Sequence, residues 1–212
     1  MVSLGFQIAN VRGRCAASRL ALKGTHVVGV EGFDQLTQYW HGLKARADGQ
    51  VPERSLFNPA DIVPLLPNIY LLERISADQV DVRLCGTALD EITGISITGM
   101  NYLAVCPPED KPVYREVIHQ TLAVPCGAVL EREVTFENGK IFLLRSQGFP
   151  LADAGGIPRY SIGMMLPLAV MRVMDMKNGP VLRSVLKRLD YIDLGFGVPE
   201  KGRQHLGDLR PT

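Results

Sequence analysis

Hydrophobic side chains near the start of the chain recur at helical spacing. Between residues 33 and 46 they are separated by steps of three, four and three positions, which places them within one stripe of a helix at about 100° per residue. An Asp-Gly pair follows and ends the pattern. The spacing therefore predicts a helix over residues 33–46 with a continuous apolar stripe, made of Phe33, Leu36, Trp40 and Leu43.

The period then changes from helical to alternating. Four prolines within residues 52–67 exclude a long helix there. From residue 80, Val80, Val82 and Leu84 alternate with more polar side chains, which is typical of a half-buried strand. The dipeptide Asn138-Gly139 between two apolar segments indicates a tight hairpin. The patterns together predict five strands, at residues 69–73, 80–85, 128–137, 140–150 and 159–166.

The order of these elements predicts a fold class. A helix is followed by two strands, short helices, a helix at residues 109–123 and three strands. This order predicts an α+β domain, in which a five-stranded antiparallel sheet carries helices on one face and a flanking N-terminal helix. We expect residues 31–170 to form this domain and residues 1–30 to be a basic, disordered leader. Residues 171–212 would be a basic tail with a short helix, whose apolar stripe is Val181, Leu182, Val185, Leu186 and Leu189.

Composition excludes several classes of protein. The chain is 46% hydrophobic and 21% charged, and 23 Lys and Arg balance 22 Asp and Glu. It therefore has enough apolar residues to bury a core, and it is too neutral for a generally basic nucleic-acid binder. No stretch approaches the roughly 20 apolar residues of a membrane span. We expect a cytoplasmic protein that binds neither nucleic acid nor membrane.

Cysteine and histidine give no sign of a metal or cofactor site. The four cysteines and four histidines are scattered, without a CxxC or HExxH motif. His119 lies on the helix predicted at residues 109–123, about 140° from the centre of its apolar face, so it would face solvent and would not bind haem. We therefore expect no metal and no cofactor.

Two arginines stand out on the predicted strands. Arg132 shares its strand face with Ala128, Leu130 and Val134, and Arg145 shares its face with apolar side chains as well. A buried guanidinium needs either an internal carboxylate or an anionic ligand. Asp90 and Glu91 are candidate carboxylates, so the two explanations stay open. The candidate ligand-binding residues are Arg132, Arg145, Tyr70, Tyr160 and Met164.

Short motifs also follow one another in a characteristic order along residues 33–168. They are a Tyr-Trp pair in the first helix, a Pro-x-Arg-Ser element before Asn-Pro, an Ile-x-x-Leu-Leu-Pro stretch, an Arg-Leu-x-Gly-Thr after the first hairpin, a Thr-Gly, and a Pro-Leu before an acidic turn. In order and spacing they resemble the single-domain bacterial PAS proteins. The residues concerned are Tyr39, Trp40, Pro52, Arg54, Ser55, Asn58, Pro59, Ile62, Leu65, Leu66, Pro67, Arg83, Leu84, Gly86, Thr87, Thr98, Gly99, Pro150, Leu151 and Asp153.

This resemblance implies a sensor or regulatory protein in signal transduction, and not an enzyme. PAS domains bind a small ligand between the sheet and the crossover helices, or bind none and mediate dimerisation. Its signal would pass by contact with another protein, such as a histidine kinase of a two-component system. We also expect a homodimer, since the stripe of Phe33, Leu36, Trp40 and Leu43 could pair with a second copy instead of its own sheet.

Two other classes remain open. One is a small enzyme on an α+β cone-shaped fold, which would place an Asp–His or Asp–Tyr pair on inward strand faces. The other is a purely structural dimerisation module, in which side chains fill the space between sheet and helices.

Overall fold

The computed structural model describes residues 29–170 and 181–200. The predicted leader, residues 1–30, lies almost entirely outside this part of the chain. Two 3₁₀ helices, Arg54–Leu56 and Pro59–Asn68, connect the first helix to the sheet. The helices are α1 (Glu31–Arg46), α2 (Thr87–Thr93), α3 (Tyr102–Val105) and α4 (Lys111–Ala123), and the strands are β1 (Ile69–Arg74), β2 (Val80–Cys85), β3 (Gly127–Phe136), β4 (Ile141–Ala152), β5 (Pro158–Val170) and β6 (Val181–Ile192).

The strands form one antiparallel sheet in the order β2-β1-β5-β4-β3-β6. All five predicted strands are present, and the last three of them form the predicted meander. The turn at Asn138-Gly139 is confirmed as well: Gly139 has a φ of 77°, and its N–H donates to the carbonyl of Phe136 at 2.9 Å. The α+β class and the antiparallel sheet are thus as predicted.

A sixth strand replaces the helix predicted in the C-terminal tail. β6 pairs along its length with β3, so this prediction was wrong. The helix prediction failed because of a β-bulge. Glu131 lies opposite Arg188 and Arg132 lies opposite Leu186, which leaves Lys187 as an extra residue. Leu186 and Leu189 therefore share a face although they are three positions apart, and this spacing imitates a helix.

A second bulge changes the faces of β2. Leu71 lies opposite Leu84, whereas its neighbour Leu72 lies opposite Val82. Val82 therefore packs beneath the crossover helices and Leu84 packs on the other side of the sheet. We call the face toward α2–α4 the inner face and the face toward α1 the outer face.

Helix α1 lies across the outer face of its own sheet. Phe33, Leu36, Trp40 and Leu43 are between 0% and 4% exposed and belong to one core with side chains of β1, β4 and β5. The predicted dimer interface on this stripe is therefore wrong, because the energy gained by burying it stabilises the single chain. The proline-rich segment does not hold the helix away from the domain, since its Phe57, Ile62 and Leu65 are buried in the same core. None of the helices within the described residues is long and apolar enough to span a membrane.

Trp40 anchors this outer core. Its indole ring stacks on Phe149 with 5.6 Å between ring centroids, and its Nε1–H donates to the carbonyl of Pro150 at 2.8 Å. The side chain is completely buried. It thus joins the middle of α1 to the end of β4 by both packing and a hydrogen bond.

We predict that Trp40→Ala lowers the free energy of unfolding by about 3–5 kcal/mol, the range for removing a large aromatic side chain from a core. Urea denaturation followed by circular dichroism measures it. Gln38→Ala is the control, because Gln38 is exposed on the same helix and should change stability by less than about 0.5 kcal/mol. A stability loss below about 1 kcal/mol for Trp40→Ala would contradict the packing described above.

Candidate functional site

A buried ion pair lies between the inner face of the sheet and helix α4. The guanidinium of Arg132 on β3 pairs with the carboxylate of Asp110, and the two side chains are 11% and 6% exposed. Nη1 of Arg132 donates to the hydroxyl of Tyr114, and Nη2 donates to both Asp110 and the hydroxyl of Ser184. Partners from the start of α4 and from β6 therefore satisfy one guanidinium.

The local sequence explains why the two α4 partners lie together. Asp110 immediately precedes the helix, where its N–H donates to the carbonyl of Pro107 at 2.9 Å, and Tyr114 follows four residues later. Residues four positions apart lie on the same face of a helix. The first turn of α4 therefore presents a carboxylate and a phenol to the same point of β3.

Arg132 keeps its charge here even though it is buried. Burial lowers the pKa of its guanidinium, and nearby Tyr102 has the opposite, smaller effect. The ring of Tyr114 lies 4.8 Å from the guanidinium carbon, a distance at which a cation is attracted to an aromatic ring. Arg132 therefore forms the internal ion pair that was one of the two expected explanations. Its carboxylate partner is Asp110, however, and not Asp90 or Glu91. Asp90 instead helps to raise the pKa of the Cys85 thiol, after the larger effect of burial.

Three tyrosines line the space next to this ion pair. Tyr70 comes from β1, Tyr102 from α3 and Tyr114 from α4, and the last two meet edge to face at 4.9 Å. Burial raises the pKa of all three phenols, and that of Tyr102 is raised to about 12. They are therefore neutral at physiological pH and act as hydrogen-bonding groups on an otherwise apolar surface. We call Arg132, Asp110 and these three tyrosines the inner cluster.

Glycines on β4 and β5 make room for Tyr70. A Cβ atom at position 163 would overlap the ring carbon Cζ of Tyr70, and one at position 148 would lie 2.9 Å from its hydroxyl. No side chain can approach so closely, so glycine at these two positions forms a groove in the inner face. Tyr70 occupies that groove.

The structure separates the predicted ligand-binding residues into two groups. Arg132 and Tyr70 lie together on the inner face. Arg145, Tyr160 and Met164 lie on the outer face, so they cannot share a site with the first two. Arg145 pairs with Glu131 on the neighbouring strand, with 2.9 Å between Nε and Oε1, and Met164 is completely buried beneath α1.

Two surface clefts among the described residues lie outside the inner cluster. One, of about 250 Å³, lies between the β1–β2 hairpin and α4 and includes the exposed His119. The other lies between α1 and the second 3₁₀ helix. Within the described residues, no group of three or more His, Cys, Asp or Glu side chains is arranged to hold a metal ion.

Comparison with known proteins agrees with this fold. A family model described as "PAS domain" matches residues 28–166, which is more than half of the chain. The chain belongs to the PAS domain family. This is a family of sensory and regulatory modules. A search of curated proteins found no match.

Several solved structures are similar to this PAS domain. The PAS domain of Bordetella pertussis BvgS is 17% identical with a TM-score of 0.40, over 64% of this chain and 88% of that chain. An RNA-binding light-oxygen-voltage receptor is 17% identical with a TM-score of 0.38, over 55% and 35% of the two chains. A fungal LOV domain photoreceptor is 23% identical with a TM-score of 0.35, over 48% and 74%.

Sequence reasoning missed several partners in the inner cluster of the PAS domain. Asp110 and Tyr114 carry a detectable signal, since they are four residues apart at the start of a predicted helix. Tyr102 lies before the helix predicted at residues 109–123, where no hydrophobic pattern points to it. Ser184 also binds Arg132, and this contact could not be inferred because the segment around Ser184 was predicted to be a helix.

We predict that Arg132→Met lowers the free energy of unfolding by about 3–5 kcal/mol, because it leaves the Asp110 carboxylate buried without its partner. Adding Asp110→Leu removes that carboxylate and should restore much of the loss. Urea unfolding of both variants measures this difference. The control is Arg115→Met, which breaks an exposed pair with Asp78 and should cost less than about 1 kcal/mol. If Arg132→Met costs no more than Arg115→Met, the buried pair does not stabilise the fold.

We also predict that stability falls as the pH rises above about 10. The pKa of Tyr102 is about 12 in the fold and 10.0 in its ordinary state, so the unfolded chain loses the phenolic proton first and is favoured between these values. Below about pH 10 the phenol keeps its proton in both the folded and the unfolded state, so the full contribution of Tyr102 to stability is present. Unfolding curves from about pH 8 to 12 measure the effect, which Tyr102→Phe should reduce. Equal slopes for the two proteins would contradict this assignment.

Proposed function

We propose that this PAS domain is a non-catalytic regulatory module that acts by contact with another protein, with an inner site that its own side chains close. The observation that carries the proposal is the inner cluster. Arg132 has a carboxylate, a phenol and a hydroxyl as partners, and Tyr70 occupies the groove at Gly148 and Gly163. A guanidinium with three internal partners does not require an anionic ligand.

The state of the inner side chains supports a non-catalytic role. Burial raises the pKa of the Cys85 thiol to about 12 and raises that of Cys106 as well. Thiols of this kind are protonated at neutral pH and react poorly, because the thiolate is the nucleophile. The neutral tyrosines and the paired Arg132 likewise serve for packing and hydrogen bonding. This argument disfavours the enzyme on a cone-shaped fold.

A second candidate function is the binding of a small ligand in the groove that Tyr70 occupies. Ligand sites in proteins are mostly apolar, with a few polar groups that converge. Three phenols and one guanidinium converge here on an apolar face. A ligand would have to displace the ring of Tyr70, and the exchange of Tyr70 for the ligand would then be the sensed event.

The partner and the location are part of the proposal. We propose a cytoplasmic bacterial protein that contacts a signalling protein such as a histidine kinase. A homodimer stays part of the proposal too, but it would use a surface other than the α1 stripe, whose side chains are buried in the single chain.

Native mass spectrometry of the freshly purified full chain tests the closed site and measures the oligomer at the same time. We expect the mass of the polypeptide, or a whole multiple of it, without an adduct. An adduct that binds the wild type and Arg145→Met but not Arg132→Met would overturn the closed site and support the ligand sensor. Arg145→Met is the matched control because it removes an arginine from the opposite face of the sheet.

The protein contact needs its own measurement. Purification of the tagged chain from its native cells should recover a signalling protein in stoichiometric amount, and the purified pair should re-form in size-exclusion chromatography. Recovery of the chain alone under all growth conditions tested would contradict the proposal.

A further inference from the structure

Strand β6 lies at one edge of the sheet, next to β3, and contacts the inner cluster. Its Ser184 binds Arg132 on the inner face, and its Leu186, Leu189 and Tyr191 pack against α4 and β3. It lies beyond the residues that match the PAS family model. It is therefore an addition to the five strands that the family pattern predicts, and it needs its own explanation.

The chain that follows β6 docks on the outer face. Leu194 is 3% exposed and lies in the same core as Trp40, with Phe196 beside it. The Nζ of Lys44, in the last turn of α1, donates to the carbonyl of Leu194 at 2.5 Å and lies 4.5 Å from the centre of the Phe196 ring. One strand thus connects the inner cluster with the end of α1.

The turn after β6 is well suited to hold this connection. Asp193 accepts hydrogen bonds from the N–H groups of Gly195 and Gly197, at 2.7 and 3.0 Å. Both glycines have a positive φ, 92° and 86°, which other residues rarely adopt. This compact turn fixes Leu194 relative to the last residues of β6, so a displacement of the strand also moves the contact with α1.

Arg132 is placed to control β6. A single nitrogen, Nη2, donates both to Asp110 before α4 and to Ser184 on β6. A shift of the first turn of α4 therefore pulls on the same group that binds the strand. The backbone ladder with β3 also holds the strand, and opening has to break it. On the outer face, Lys187 and Arg188 add only wider ion pairs, at 3.5 Å to Glu133 and 3.6 Å to Glu131, and exposed pairs of this kind contribute little.

We propose that β6 is a latch that couples the inner cluster to helix α1. In the closed position Arg132 binds Ser184 and Leu194 is docked on α1; in the open position both contacts are lost together. The structure shows the closed position. This inference goes beyond the proposed function, because it requires neither a ligand nor a known partner.

Hydrogen–deuterium exchange of the full chain, read by mass spectrometry, tests the latch. Tyr114→Phe removes a partner of Arg132 on α4, and Ser184→Ala removes its partner on β6. For each variant we expect exchange to rise about tenfold or more both in β6 and in residues 40–46 of α1, the change that corresponds to the loss of a hydrogen bond to a charged group. Exchange in β1 and β2 should not change.

Two further variants make the test specific. Leu182→Ala alters an exposed residue of β6 and should leave exchange in α1 unchanged. Lys44→Met weakens the contact at the other end, and because coupling is reciprocal it should raise exchange around residue 184 as well. If one of these four proteins does not fold, the remaining three still give a result.

The results separate the latch from ordinary local loosening. If Tyr114→Phe and Ser184→Ala raise exchange only near the altered residue, while residues 40–46 behave as in the wild type, the latch does not exist. The same conclusion follows if Leu182→Ala disturbs α1 as much as Ser184→Ala does. A third check is the double variant Ser184→Ala/Lys44→Met, whose effects should be less than additive for a single latch and additive for two independent contacts.

Discussion

Both faces of the sheet are apolar, and the rest of the structure depends on covering them. The outer face carries Phe149, Leu151, Ile162 and Met164, all 0–1% exposed, and helix α1 covers them. The inner face is covered by α2, α3 and α4. Leaving either face in water would cost about 25 cal/mol for each Å² of apolar surface. The apolar stripe of α1, which could have bound a partner, therefore packs on the sheet of its own chain.

The inner face meets a second requirement as well. Arg132 brings a full charge into an apolar layer, and a buried charge is tolerated only when it is paired and hydrogen-bonded. Asp110 and Tyr114 at the start of α4 and Ser184 on β6 meet that requirement. The charge thus ties the start of α4 to β3 and β6, which packing alone would hold less specifically.

Much of the fold could be predicted from local patterns, and the errors have identifiable causes. The Asn138-Gly139 turn and the alternation on the five strands are local signals, and the structure confirms them. The bulge at Lys187 made the same reasoning fail for β6, because it places Leu186 and Leu189 on one face of the strand although they are spaced along the sequence as in a helix. For the site, the inward direction of Arg132 could be predicted from its strand, whereas its partner Asp110 could not, since nothing in the sequence says which helix turn reaches β3.

By itself the sequence determined the α+β class, the membership of the strands in one antiparallel sheet, the apolar stripe of α1 and the presence of a buried arginine. These properties follow from the period of hydrophobic positions and from turn residues, which act over a few neighbours in the chain. Only the tertiary structure decided that the stripe covers its own sheet, that Arg145 and Met164 lie on the face opposite to Arg132, and that residues 181–192 form a strand. Each of these depends on contacts between residues far apart in sequence, such as Trp40 with Pro150 and Arg132 with Ser184, and such contacts leave no periodic signal in either partner alone.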